Sequence, residues 1–186
     1  MNVGGKAVLK DSILDQNEST GATVGGPGST AMARACVLEG NGNNVLITVG
    51  GTVDLTGCSI KDAWKHGLAT FGTGSQATAT DCHFIGSAVA NISATCGGEV
   101  NLLDCTVRGT RSGCSVQVLC AVVSARGCSF LDNSAGRSGV SVEGGGRLAA
   151  EGCKFSRKPN VCDRGVTALV ACSFADDAGA GLAPVG

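Results

Sequence analysis

The chain has 186 residues, 43% of them hydrophobic and 16% charged, the balance of one folded domain rather than of a disordered segment. A formal net charge of −1 gives no electrostatic pull toward nucleic acid or an anionic membrane, and no apolar run approaches the roughly 20 residues of a membrane span. With 30 Gly, 11 Cys, five Phe, one Trp and no Tyr, the core must be narrow and built from Val, Leu, Ala and Cys.

The start, Met1-Asn2-Val3-Gly4-Gly5, has neither the charged nor the apolar region of a signal peptide. The sequence therefore reads as soluble, with its compartment unassigned. Val8-Leu9-Lys10-Asp11-Ser12-Ile13 is the first, degenerate copy of a recurring motif, with Asp11 replacing a cysteine. A second degenerate copy runs from Met32 to Leu38, where either Ala35 or Cys36 takes the corner position. Regular copies follow: Gly57-Cys58-Ser59-Ile60, Asp81-Cys82-His83-Phe84, Asp104-Cys105-Thr106-Val107, Gly127-Cys128-Ser129-Phe130, Gly152-Cys153-Lys154-Phe155 and Ala171-Cys172-Ser173-Phe174. The cysteine intervals are 24, 23, 23, 25 and 19 residues, and a fixed period of this size is the mark of a repeat architecture.

Ahead of each cysteine stand alternating small or apolar residues, such as Val53 and Leu55, Ala77 and Ala79, or Val100 and Leu102, which predicts a short strand with one inward face. The cysteine is an odd step from these positions, so the chain must bend just before it. Gly57, Asp81, Asp104, Gly127, Gly152 and Ala171 occupy that bend, and Gly and Asp tolerate a left-handed backbone. Another strand lies upstream in each coil, with Val45, Ile47 and Val49, then Ile92, Ala94 and Cys96, then Val140, Val142 and Gly144 facing inward. Turns such as Gly50-Gly51 and Gly97-Gly98 end it. Three strands and three bends make one coil, and coils stacked at about 4.8 Å complete each other's hydrogen bonds.

The expected fold is all-β, a parallel β-helix (β-solenoid) of about seven or eight coils over residues 1–175, with 176–186 a flexible tail. These motifs resemble the right-handed parallel β-helix of the pectin-lyase-like superfamily, which fixes the hand and implies a tight bend before one strand and a longer loop after it. The loops 60–66 and 155–164 fit that pattern. Fold alone does not imply activity.

In register, Cys58, Cys82, Cys105, Cys128, Cys153 and Cys172 form an internal ladder of buried thiols acting as small apolar residues. Cys36, Cys96, Cys114, Cys120 and Cys162 stand outside it, with Cys96 and Cys120 pointing inward and Cys114 and Cys162 in or near loops. The absence of any Cys-x-x-Cys, with only His66 and His83 to supply imidazole, leaves zinc little to bind to. No metal or other cofactor is expected.

Lyases of the resembled superfamily carry acidic calcium ligands and a basic residue on the outer face of the upstream strand. Here that face reads Leu46 and Thr48, Ser93 and Thr95, Ser141 and Glu143, which supports neither calcium binding nor a glycosidase pair. No catalytic residues are assigned. The candidate binding cluster is Asp62, Trp64, Lys65 and His66 on one loop, whose aromatic surface and charges suit a sugar or an acidic peptide; the plainer reading is a solvated loop. His83 is expected at the surface. Arg108, Arg111, Arg126, Arg137, Arg147, Lys154, Arg157, Lys158 and Arg164 are interspersed with Asp132, Glu143, Glu151 and Asp163, a mixed solvated surface. Asn17-Glu18-Ser19 and Asn91-Ile92-Ser93 are sequons that matter only in a secreted chain.

Neither end carries a capping helix, which suggests further coils of a longer solenoid, partner subunits or self-association over the exposed edges. The leading functional expectation is a non-catalytic scaffold that binds other proteins. A sugar-binding module or diverged lyase or hydrolase is the alternative, implied by the resemblance. Ice binding is disfavoured, because the outward row Ser59, His83, Thr106, Ser129, Lys154 and Ser173 is irregular.

Overall fold

A single turn of the coil illustrates how this sequence folds. Thr52–Thr56 buries Val53 and Leu55 and exposes Asp54 between them; the chain bends at Gly57; Ser59–Lys61 buries Ile60; a second bend leads into His66–Phe71, which buries Leu68 and Thr70. The computed structural model describes residues 4–132, 139–156, 161–163, 165–175 and 183–184. In it the turns stack into three parallel sheets of eight strands each, and each strand pairs with its counterpart one turn on. The equivalent rows hold register along the whole stack: Val53, Ala77, Val100, Val123 and Leu148 form one inward row, and Ile60, Phe84, Val107, Phe130 and Phe155 another. Parallel pairing lets like pack on like, so Phe130, Phe155 and Phe174 stack with ring centroids 4.8 and 5.2 Å apart, within the favourable range for offset rings. Burying one such side chain is worth about 1.5–3 kcal/mol, and repetition along the coil supplies the core that no single turn could make.

The corner before each cysteine is a single left-handed residue, with φ of 59° at Gly57, 53° at Asp81, 52° at Asp104, 64° at Gly127, 62° at Gly152 and 51° at Ala171. The degenerate early turns follow the same rule and correct the expected register there. Asp11 (φ 48°) is itself the corner, paired in sequence position with Ala35 (φ 51°), so Ser12, not Asp11, stands at the cysteine position. Ala35 takes the second corner, and Cys36 is a buried member of the ladder rather than an outlier.

The upstream strands end one residue earlier than their alternation suggests. Val49, Cys96 and Gly144 are left-handed turn residues (φ 50°, 52° and 60°), and Val49 is 63% exposed. Cys96 and Cys120 are likewise exposed, not inward. A left-handed residue reverses the strand's direction, and its side chain is swung out of the alternation that placed Ile47 or Ala94 in the core. Of the tail expected at 176–186, Ala183–Pro184 pairs with Cys162–Asp163; the rest lies outside the described residues.

Candidate functional site

The corner between the second and third sheets carries the expected cluster. Its first residue is again left-handed: Gln16, Gly40, Asp62, Gly86, Gly109 and Asp132. The residue after it turns inward, and Asn41, Ala63, Ser87 and Thr110 are buried there. Such a bend strands backbone groups away from both water and ladder partners, and these must be satisfied. Buried asparagines do this. Asn44 Nδ2 donates to Lys61 O at 2.8 Å while its Oδ1 accepts from Asn41 Nδ2 at 2.8 Å. Asn41 Nδ2 also reaches Leu14 O at 2.9 Å. Two turns further on, Asn91 donates to Arg108 O (2.9 Å) and Thr110 Oγ1 (3.1 Å) and accepts from Ser87 N (3.1 Å), and Thr110 continues to Ser115 at 3.2 Å. The sequon at Asn91 is therefore buried and occupied, which removes it as a glycan acceptor.

This network makes the corner a fixed platform. Trp64 N donates to Asn41 O and Lys65 N to Gly42 O, both at 2.8 Å, and the next turn adds Ala88 N to Ala63 O and Val89 N to Lys65 O, both at 2.9 Å. On this backbone the Trp64 side chain is 57% exposed, with Val89 42% exposed on the following turn. Arg111, two turns along, folds back so that its Nη2 donates to Ala63 O at 3.2 Å. A guanidinium is thereby held at the carbonyl of the residue that precedes Trp64.

The four expected residues are placed differently. Trp64 and Lys65 are exposed on the platform. Asp62 is the left-handed corner residue (φ 54°), and its Oδ1 occupies the space over Gly86, 2.6 Å from where a side-chain carbon there would sit. His66 begins the third-sheet strand, half-buried, with Nδ1 3.0 Å from Asn43 Oδ1. Burial, and secondarily the charge of Lys65, lower its pKa, which favours the neutral ring. Arg111 and the asparagine network are the members that sequence reasoning missed.

The cysteine ladder is the other expected set. Cys36, Cys58, Cys82, Cys105, Cys128 and Cys153 are buried free thiols, and Cys172 is partly buried. Each lies within reach of the carbonyl two residues before it, for example Cys82 to Thr80 O and Cys105 to Leu103 O, both 3.3 Å. The sulfurs also accept, since Cys58 N lies 3.4 Å from Cys82 Sγ and Cys105 N the same distance from Cys128 Sγ. Cys105 is pushed up to about 12: the Cys128 thiol bonded to it opposes the rise, but the Cys82 neighbour and burial outweigh it. Cys128 is pushed up to about 11, first by Cys105. Neighbouring sulfurs compete for the same stabilisation, so Cys58 is drawn down to about 7 by Cys82 while Cys82 is held at about 11, against the Cys105 bond that would lower it. Cys82, Cys105, Cys128 and Cys153 are thus all raised, which favours the protonated thiol of a packing group, whereas Cys58 is shifted the other way.

Among the described residues, no three His, Cys, Asp or Glu side chains converge as a metal centre, and no helix is long and apolar enough to cross a membrane. Arg126 is held by Glu151 at 2.8 Å on the outer face of the first sheet, while Arg137, Arg157, Lys158 and Arg164 lie outside the described residues. A family model described as the right handed beta helix region matches residues 1–155, and the chain belongs to that family. The hand of the coil and the consistency with the pectin-lyase-like architecture follow from it. No curated protein matches the chain.

Proposed function

We propose that this β-helix is a non-catalytic binding scaffold that docks other proteins on the corner around Trp64. The observation that carries the reading is a large aromatic side chain left 57% exposed on backbone that is hydrogen-bonded on both sides, with the Arg111 guanidinium tied at 3.2 Å to the carbonyl of the preceding residue, Ala63. Trp and Arg dominate the energetic centres of protein interfaces, and a pre-ordered platform loses little entropy on binding. Val89 extends the apolar centre, and Lys65 and Asp62 form a polar rim, the arrangement interfaces share.

The same Trp64 ring favours a second reading, a sugar docked face-on with Asp62 and Lys65 as hydrogen-bonding groups. Tagged protein, Trp64→Ala and Arg111→Ala should be compared in capture experiments from the source cells, with mass spectrometry of bound material and a glycan array in parallel. Stoichiometric protein partners retained by the parent chain and lost by both variants are expected. Binding of defined glycans that depends on Trp64 but not on Arg111 would replace this reading with the second, and bound protein unaffected by either substitution would remove the corner as the site.

A further inference from the structure

Two exposed thiols outside both the core ladder and the Trp64 corner are neighbours on successive turns. Cys96 follows the strand Ala90–Thr95 and Cys120 follows Cys114–Leu119 one turn later. Both are exposed and unbonded to other cysteines, and their backbones match, with φ of 52° and 50°. Cys96 N donates to Leu119 O at 3.0 Å and Gly97 N to Cys120 O at 2.6 Å, so the two α-carbons are locked at the inter-strand spacing of about 4.8 Å. Equal backbone angles make the Cα–Cβ bonds parallel and keep the β-carbons at nearly that same separation. A disulfide needs β-carbons about 3.5–4.5 Å apart, so the register opposes one.

The spacing suits a different bridge. A metal–thiolate bond is about 2.3 Å long, so two such bonds in line span about 4.6 Å, close to the separation of the rungs. Among the described residues no third ligand of the His, Cys, Asp or Glu type joins the pair, which excludes the four-coordinate demand of zinc and leaves an ion content with two thiolates. Soft thiolate ligands select Cu(I). We propose that Cys96 and Cys120 form a two-coordinate site for a soft monovalent metal ion of the Cu(I) class. On binding, the two S–H bonds ionise, two S–metal bonds form, two protons are released and no electron is transferred.

The Cys120 sulfur in this structure leans toward the next turn, 2.8 Å from where a side-chain carbon on Gly144 would sit. An exposed side chain changes rotamer in picoseconds to nanoseconds, so engaging Cys96 takes a rotation about χ1 and no backbone movement. The flanking side chains are Phe71, Leu119 and Val122, all partly exposed and apolar, which suits a soft ion with little hydration.

The test is a titration of the reduced full chain with Cu(I), without oxygen, in competition with the chromogenic chelator bicinchoninate. One equivalent should be withdrawn from the chelator, and Cys96→Ser or Cys120→Ser should each weaken retention more than about 100-fold, since loss of even an outer-shell partner costs 10–100-fold. Cys96→Gly and Cys120→Gly relieve the left-handed backbone and repeat the test if a serine variant folds poorly. Failure of the parent chain to compete, or unchanged retention in the folded Gly variants, would overturn the proposal.

Discussion

Two columns of cysteines run along the described coil, the buried ladder and the exposed pair Cys96 and Cys120, and the difference between them is one residue of phase. In the ladder, the left-handed residue comes first and the cysteine follows it, so the thiol is turned into the core: Asp104 is left-handed and Cys105 is buried. At the turn from the third sheet back to the first, the cysteine is itself the left-handed residue, and Cys96 and Cys120 stand in solvent. Residue type and repeat period are the same in both. What decides burial is where the side chain falls relative to the single backbone reversal, so an apolar or thiol side chain in a solenoid is not committed to the core by its hydropathy.

The largest consequence is in reactivity. A brief pulse of iodoacetamide on the native protein, followed by peptide mass spectrometry, should modify Cys96 and Cys120 at least about 10³-fold faster than Cys82, Cys105 or Cys128, because the buried thiols require opening of a structure stable by several kcal/mol. Comparable rates at Cys96 and Cys105 would break the comparison outright.

Introducing a charge sharpens it. Cys105→Asp places a carboxylate in the thiol column with no cation beside it, and should lower unfolding stability in urea by about 3–5 kcal/mol, the scale of an uncompensated buried charge. Cys96→Asp should stay within about 0.5 kcal/mol of the parent, as surface substitutions do, because Asp already serves as the left-handed residue at Asp11, Asp62, Asp81, Asp104 and Asp132. A large loss at both positions would mean that the exposed column also bears on the core.

These two columns also mark what the sequence makes legible. The ladder is readable because Gly or Asp stands immediately before most of its cysteines and the alternation on either side has opposite parity, and the fold follows from that. Cys36 escapes because its corner residue is Ala35, which carries no conformational signature of its own. Cys96 and Val49 are misassigned because period-two alternation shows which face a strand buries but not where the strand stops; the Gly-Gly pair following each was the available signal. At the candidate site, Trp64 is evident as the only tryptophan, whereas Arg111 reaches the Ala63 carbonyl beside it from 48 residues along the chain, visible only when that distance is read as two turns of the coil. Asn41, Asn44 and Asn91 look like loop residues by composition, and only the stranded carbonyls at the corner explain their burial.

The smallest effect tests the phase rule most directly, because one substitution should change stability in opposite directions at the two columns. Cys96→Gly removes an exposed side chain from a left-handed backbone that costs an L-residue about 1–2 kcal/mol, while glycine's larger unfolded-state entropy returns about 0.4–1 kcal/mol of that gain; the net is a stabilisation of about 0.5 kcal/mol. Cys105→Gly follows a corner that Asp104 already supplies, so it gains nothing in the backbone and loses a buried side chain, a destabilisation of about 2 kcal/mol. Paired urea titrations resolve a difference of that size. If Cys96→Gly proved as destabilising as Cys105→Gly, the Cys96 thiol would have to be making an interaction of its own, and repeating the titration with bound Cu(I) removed by chelator would show whether a metal supplies it.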